Sequence, residues 1–149
     1  MGKIFTIGFT RMTAEEFFTC LERNRVKRVV DVRLYNTSQL LGFSKYPDIE
    51  FFLRNLSGID YVHDLQFAPS EIILESYKKK YITWEEYEEA FAALMATRDI
   101  DKYILKNYAT QENYCLLCTE VSPENCHRRL VAEKIKKVLE DVDVEIIHL

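Results

Sequence analysis

The 149-residue chain is expected to fold as a single α/β domain, a mainly parallel sheet with helices packed on it. Three observations lead there. Short apolar runs of strand length occur at residues 3–7, 26–32, 59–62, 114–118 and 144–149, and helical periodicity fills the intervals between them. Apolar residues make up 48% of the chain and charged ones 30%, the balance of a soluble globular protein. Strands that alternate with helices imply a parallel sheet, and this length supports one substantial core.

Each element has its own signal. Gly8 breaks the first strand, and Thr13 with Glu16 three residues on makes a capping box for a helix predicted to run to about Asn24. The second strand carries Val29, Val30 and Val32, suited to a buried parallel position, and ends in Asp31-Val32-Arg33. Residues 34–47 are polar and too long for a simple connector, which points to a functional loop. Asp48 is expected to cap a short helix to about Leu56, and Gly58 ends it before the third strand. From Pro69 to about Tyr108 the pattern is helical throughout, with aromatic stripes at Tyr77, Trp84, Tyr87 and Phe91 that read as core. The runs Lys78-Lys79-Lys80 and Glu85 to Glu89 read as solvated faces.

Composition excludes several classes. No apolar run approaches the roughly 18 residues a bilayer span requires, and the chain begins directly on a strand pattern, so no membrane role is expected and the cytoplasm is the expected location. Four cysteines without secretory features argue for reduced thiols. A net charge of -4 leaves a nucleic-acid partner open only through a local basic face.

The stretch from Leu116 to Arg129 concentrates the chemistry. Cys118, Thr119 and Glu120 follow a strand, Pro123 and Asn125 prepare a helix, and Cys126, His127 and Arg128 fall in its first turn. A helix start carries unpaired N–H groups and partial positive charge that stabilise a thiolate or a bound anion. Cys126, His127 and Glu120 are therefore the candidate catalytic residues, with Glu120 as acid, base or orienting carboxylate. Either cysteine alone could equally be a small buried hydrophobe, and Arg129 reads as a partner of Glu133 one turn on.

Ligands of open α/β sheets bind beyond the carboxyl ends of the strands. Gly8, Thr10, Arg33, Cys118, Glu120 and His148 all lie at such ends. With Arg128 they form the candidate substrate-binding set, in which Arg33 and Arg128 would clamp a phosphate or carboxylate.

Together these motifs resemble the domain-of-unknown-function family 488. Its carriers are Thr6-Ile7-Gly8, Asp31-Val32-Arg33, Phe43 with Lys45, Gly58-Ile59 before Tyr61, Cys118-Thr119-Glu120, Cys126-His127-Arg128 and Ile147-His148-Leu149. The resemblance covers nearly the whole chain and implies the same fold and site location. Phe9 and Thr10 stand where the family usually has histidine and serine, and Asn36 and Gln66-Phe67 depart from its proline and paired glycine.

Other chemistries fit less well. Cys115-x-x-Cys118 with Cys126 and His127 has zinc-ligand types, but Cys115 and Cys118 sit three apart in a predicted strand and face opposite sides of it. No metal and no cofactor is therefore expected. A phosphate- or persulfide-wrapping loop is absent, since Pro123 and Glu124 follow Cys118 where an arginine would be needed. Two readings stay open. One is an enzyme acting on a phosphorylated, nucleotide or nucleic-acid substrate. The other is a binding module for a small anion or a nucleic acid strand, with Arg33, Lys45, Arg54, Lys78 to Lys80 and Arg128 as its basic face and Tyr35, Tyr46 or Tyr77 for stacking.

Overall fold

The computed structural model describes residues 2–37, 42–109, 112–120 and 122–149. Part of the long stretch after the second strand, and Val121 within the cysteine motif, lie outside these.

The elements in chain order are β1 (Gly2–Gly8), α1 (Ala14–Arg23), β2 (Arg28–Asp31), α2 (Asp48–Leu56), β3 (Asp60–His63), α3 (Glu71–Lys78), α4 (Trp84–Thr97), α5 (Ile100–Asn107), β4 (Tyr114–Cys118), α6 (His127–Val138) and β5 (Val144–His148). The five strands are all parallel, in the spatial order β3-β2-β4-β1-β5. β4 therefore lies between β1 and β2, and β1 between β4 and β5.

This order has a topological consequence. Leaving β1, the chain runs to β2 and must pass β4; leaving β4, it runs to β5 and must pass β1. The two exits cross at the carboxyl edge of neighbouring strands, where Gly8 pairs with Cys118.

Side chains alternate across the sheet and build two cores. On one face Phe5, Ile7, Val29 and Leu117 pack with Phe17 and Leu21 of α1 and Ile49 and Leu53 of α2. On the other, Ile4, Val30 and Leu116 pack with Phe91, Ile104, Val131 and Ile135 from α4, α5 and α6. Each such side chain, fully buried, contributes about 1.5–3 kcal/mol.

Local signals account for most boundaries. The capping box of α1 forms as expected: the Thr13 hydroxyl accepts the Glu16 N–H, and the Glu16 carboxylate accepts the Thr13 N–H, both at 3.1 Å. The long helical stretch is three helices rather than one. Ser70 caps α3, and Thr83 with Glu86 makes a second capping box for α4. Lys80 at φ 61° and Asp99 at φ 50° turn the chain between them. Asp48 is the first residue of α2 rather than its cap, because Pro47 occupies the cap position. Gly58 ends that helix at φ +63°. At the carboxyl end of β3, Asp64 accepts the hydroxyls of Tyr103 (2.7 Å) and Tyr108, tying α5 and its exit to the sheet.

Candidate functional site

The helix α6 begins at His127 rather than near Asn125, with Cys126 as an extended N-cap residue (φ -130°, ψ 136°) that makes no side-chain capping bond. Its thiol is thus free of a capping duty and lies buried among the core. The turn before it is held by the Cys126 N–H on the Pro123 carbonyl (3.2 Å) and by Arg129, which donates to the Glu124 carbonyl (2.9 and 3.1 Å). Arg129 also pairs with Glu133 at 3.0 Å, as its spacing predicts.

Cys118 at the end of β4, Cys126 and His127 converge: their sulfur and ring-nitrogen atoms all lie within 4.8 Å of one another. The imidazole is held on its far side, where Nε2 meets the Val32 carbonyl at 2.7 Å. A carbonyl only accepts, so Nε2 carries a proton, and in the neutral ring the lone pair of Nδ1 points at Cys118 Sγ, 3.7 Å away. The Phe91 ring packs on the imidazole at a centroid separation of 5.7 Å.

The two thiols are unlike. Donation from the Cys126 thiol, helped by the Thr119 N–H and the charge of Arg128, holds Cys118 below the ordinary thiol range in spite of its burial. That same bond, with burial, pushes Cys126 well up. The sequence points to Cys126 through its place at a helix start, and the fold sets Cys118 and His127 directly beside it.

The two arginines of the expected clamp each have internal partners. Arg33 makes a bidentate pair with Asp31 (2.8 and 2.6 Å), donates to the Ser44 carbonyl (2.8 Å) and lies over the Phe9 ring. Asp31 also accepts the Tyr61 hydroxyl at 2.6 Å. Burial alone would lower the Arg33 pKa, but the Asp31 carboxylate outweighs it and the net shift is upward. Arg128 is fully buried and donates to the Glu120 backbone carbonyl and, at 3.3 Å, to the Thr6 hydroxyl. The Thr6 hydroxyl in turn meets His148 Nδ1 at 2.6 Å. Arg33 lies over Phe9 of the α1–α2 core and reaches the edge of the cleft, whereas Arg128 belongs to α6 on the opposite face, so the two act as internal struts.

Gly8 and Thr10 serve the same crossing. Gly8 leaves room for the Glu120 backbone, and the Thr10 hydroxyl donates to the Thr119 carbonyl. The Glu120 side chain is exposed.

The three converged residues form the floor of a cleft of about 720 Å³ between the carboxyl ends of β2 and β4 and the helices α3 and α4. Thr119, Glu120, Asn125 and Arg33 also line it, together with Tyr77, Trp84, Tyr87, Tyr35, Lys78 and Lys80. Trp84 and Tyr87 stack at 4.8 Å, and Tyr77 meets Trp84 edge-on at 5.5 Å. Periodicity reads these aromatic residues as core, and they are: Tyr87 is buried in it and Tyr77 and Trp84 pack half-buried against it while also lining the cleft. The Thr83 cap, which places Trp84 in the first turn of a helix and so near a loop edge, is the signal for that second role. Of the wider basic face, Arg54 is paired with Glu50 and Asp60, and Lys45 lines a separate hollow beside α1 and α2. Cys115 faces the other core, as its strand position predicts. No helix among the described residues is long and apolar enough to cross a membrane.

Residues 13–135 match the family described as "Domain of unknown function DUF488". Nothing among curated proteins and nothing among solved structures matches the chain.

Proposed function

The chain belongs to the DUF488 family, and from the geometry of its cleft we propose that it is an enzyme acting on a nucleotide or a comparable phosphorylated aromatic substrate. The observation that carries this reading is the convergence of Cys118, Cys126 and His127 within 4.8 Å at the floor of the aromatic-walled cleft. Thiol and imidazole groups so placed supply nucleophile, proton carrier or metal ligand. A base or other flat ring stacks on Trp84 and Tyr77, contacts worth about 1–3 kcal/mol per ring. Lys78 and Lys80 meet its phosphate groups. Glu120, which also lines the cleft, is the remaining group for proton transfer. Arg33 and Arg128 act by position: one stiffens the loop after β2, and the other holds the turn that presents Cys126 and His127.

Trp84 is the chain's single tryptophan and lines the cleft, so its fluorescence reports occupancy. Nucleoside mono-, di- and triphosphates and short single strands would be titrated against it, and the bound class then followed by mass spectrometry for product. The expected result is an emission change that weakens with added salt, with product formed by the native chain and lost in Cys118→Ala. Unchanged emission with every class would reject the reading. Binding without product, unaffected by Cys118→Ala, would instead support the rival binding module.

A further inference from the structure

We propose that Cys118, Cys126 and His127 are the protein ligands of a zinc ion whose fourth coordination position opens into the cleft. The proposal deepens the enzyme reading by naming what occupies its centre, but it stands on ligand geometry alone. Tetrahedral zinc with sulfur at about 2.3 Å and imidazole nitrogen at about 2.0–2.1 Å sets neighbouring ligand atoms roughly 3.5–3.8 Å apart. Cys118 Sγ and His127 Nδ1 already stand 3.7 Å apart. No pair in the cluster exceeds 4.8 Å, so closure around an ion needs shifts of about an ångström, within reach of small side-chain rotations.

The imidazole is prepared for this role. Metal-bound histidine characteristically donates its other N–H to a carbonyl or carboxylate, which fixes the ring and directs the lone pair. His127 does this through Nε2 to the Val32 carbonyl at 2.7 Å, presenting Nδ1 to the two sulfurs. Adjacent residues seldom aim at one point, but here Cys126 is extended and His127 is helical, and the change of backbone direction between them turns both side chains inward.

The ligand types select the ion. Two thiolates and one imidazole suit zinc, and the two sulfur charges balance a dication in a buried setting where either alone would be costly. Among the described residues the cluster has three members, and all three line the cleft. Three protein ligands with an open fourth position is the arrangement of catalytic rather than structural zinc. Cys115, which faces the other core, takes no part.

The test uses the full chain, purified under reducing conditions without chelator. Elemental analysis is expected to find one zinc per chain. Cobalt added to the stripped protein is expected to give the intense visible bands of a tetrahedral ion with thiolate-to-cobalt charge transfer. Cys118→Ser, Cys126→Ser and His127→Gln should each weaken affinity by more than the roughly 10- to 100-fold carried by outer partners, and Cys115→Ser should change nothing. Should a variant fail to fold, native protein alone decides: zinc should protect Cys118 and Cys126, but not Cys20, from alkylation measured residue by residue. Absence of stoichiometric metal, octahedral cobalt bands, a different ion in the purified protein, or a Cys118–Cys126 disulfide that zinc with reductant cannot replace would each overturn the assignment. Failure here leaves the Trp84 titration untouched, and failure of that titration leaves the ion site standing, so the two readings fall separately.

Discussion

A β-carbon added to Gly8 would collide with the carbonyl oxygen of Glu120. That close approach is the physical record of two chain exits crossing: the β1 exit heads for β2, the β4 exit heads for β5, and backbone passes over backbone where the strands adjoin. Arg128, whose guanidinium would lie 2.8 Å from the same added carbon, locks the crossing from beneath.

Gly8→Ala is therefore expected to displace the β4–α6 turn and destabilise the fold at or beyond the upper end of the about 1–3 kcal/mol typical of overpacking. Urea denaturation followed by circular dichroism measures it. A midpoint equal to that of the native chain would contradict the close approach.

Asp31→Ala should cost about 3–5 kcal/mol, because it strands the buried Arg33 guanidinium without its bidentate partner. Removing both partners in Asp31→Ala with Arg33→Met should cost less than the sum of the single changes, which a double-mutant cycle in denaturant reads directly.

His148 gives a pH signature. Partial burial, then the nearby charge of Arg128, lowers its pKa from the ordinary value of about 6.5. Arg128 donates to the Thr6 hydroxyl and so leaves that hydroxyl's own proton for His148 Nδ1, an arrangement that protonation of Nδ1 breaks. The folded pKa lies below the unfolded one, so the unfolded chain binds more protons between them. This contribution is fully present above about 6.5 and is lost as pH falls through that value towards and past the folded pKa. The stability curve of His148→Gln should be flatter than the native curve in that window, and parallel curves would refute the assignment.

Lys78→Ala combined with Lys80→Ala should weaken binding of phosphorylated ligands in the Trp84 assay and reduce its salt dependence, because two cations that ionic screening acts on are removed. The unphosphorylated nucleoside should bind almost as before. Equal losses for both ligands would mean that the lysines shape the cleft rather than meet phosphate.

Much of the architecture was legible because its causes are local. Thr13 and Glu16 cap α1 through atoms three residues apart, and Gly58 ends α2 through its own φ. Valines in β2 and the apolar run of β4 declare buried strands through side-chain type alone. Two further boundaries are just as local: the Thr83–Glu86 box separates α4 from α3, and Pro47 takes the cap position ahead of Asp48.

The sequence by itself determined the parallel α/β class, the placing of Gly8, Arg33, Cys118 and His148 at or beside strand ends, and the family to which the chain belongs. The tertiary structure alone decided what those residues meet. Arg33 and Arg128 look alike as free cations in the chain, yet one closes on Asp31 and the other on the backbone of Glu120, on opposite faces of the sheet. Cys118 and Cys126 look alike as thiols, but the fold lowers the pKa of Cys118 and raises that of Cys126. Trp84 and Tyr87 reach the cleft from the first turn of α4, where Trp84 meets Tyr77 of α3. Caps and periodicity act within a turn or two of chain, whereas burial, pairing and charge depend on strand order, and the placing of β4 between β1 and β2 is set by the packing of the whole chain.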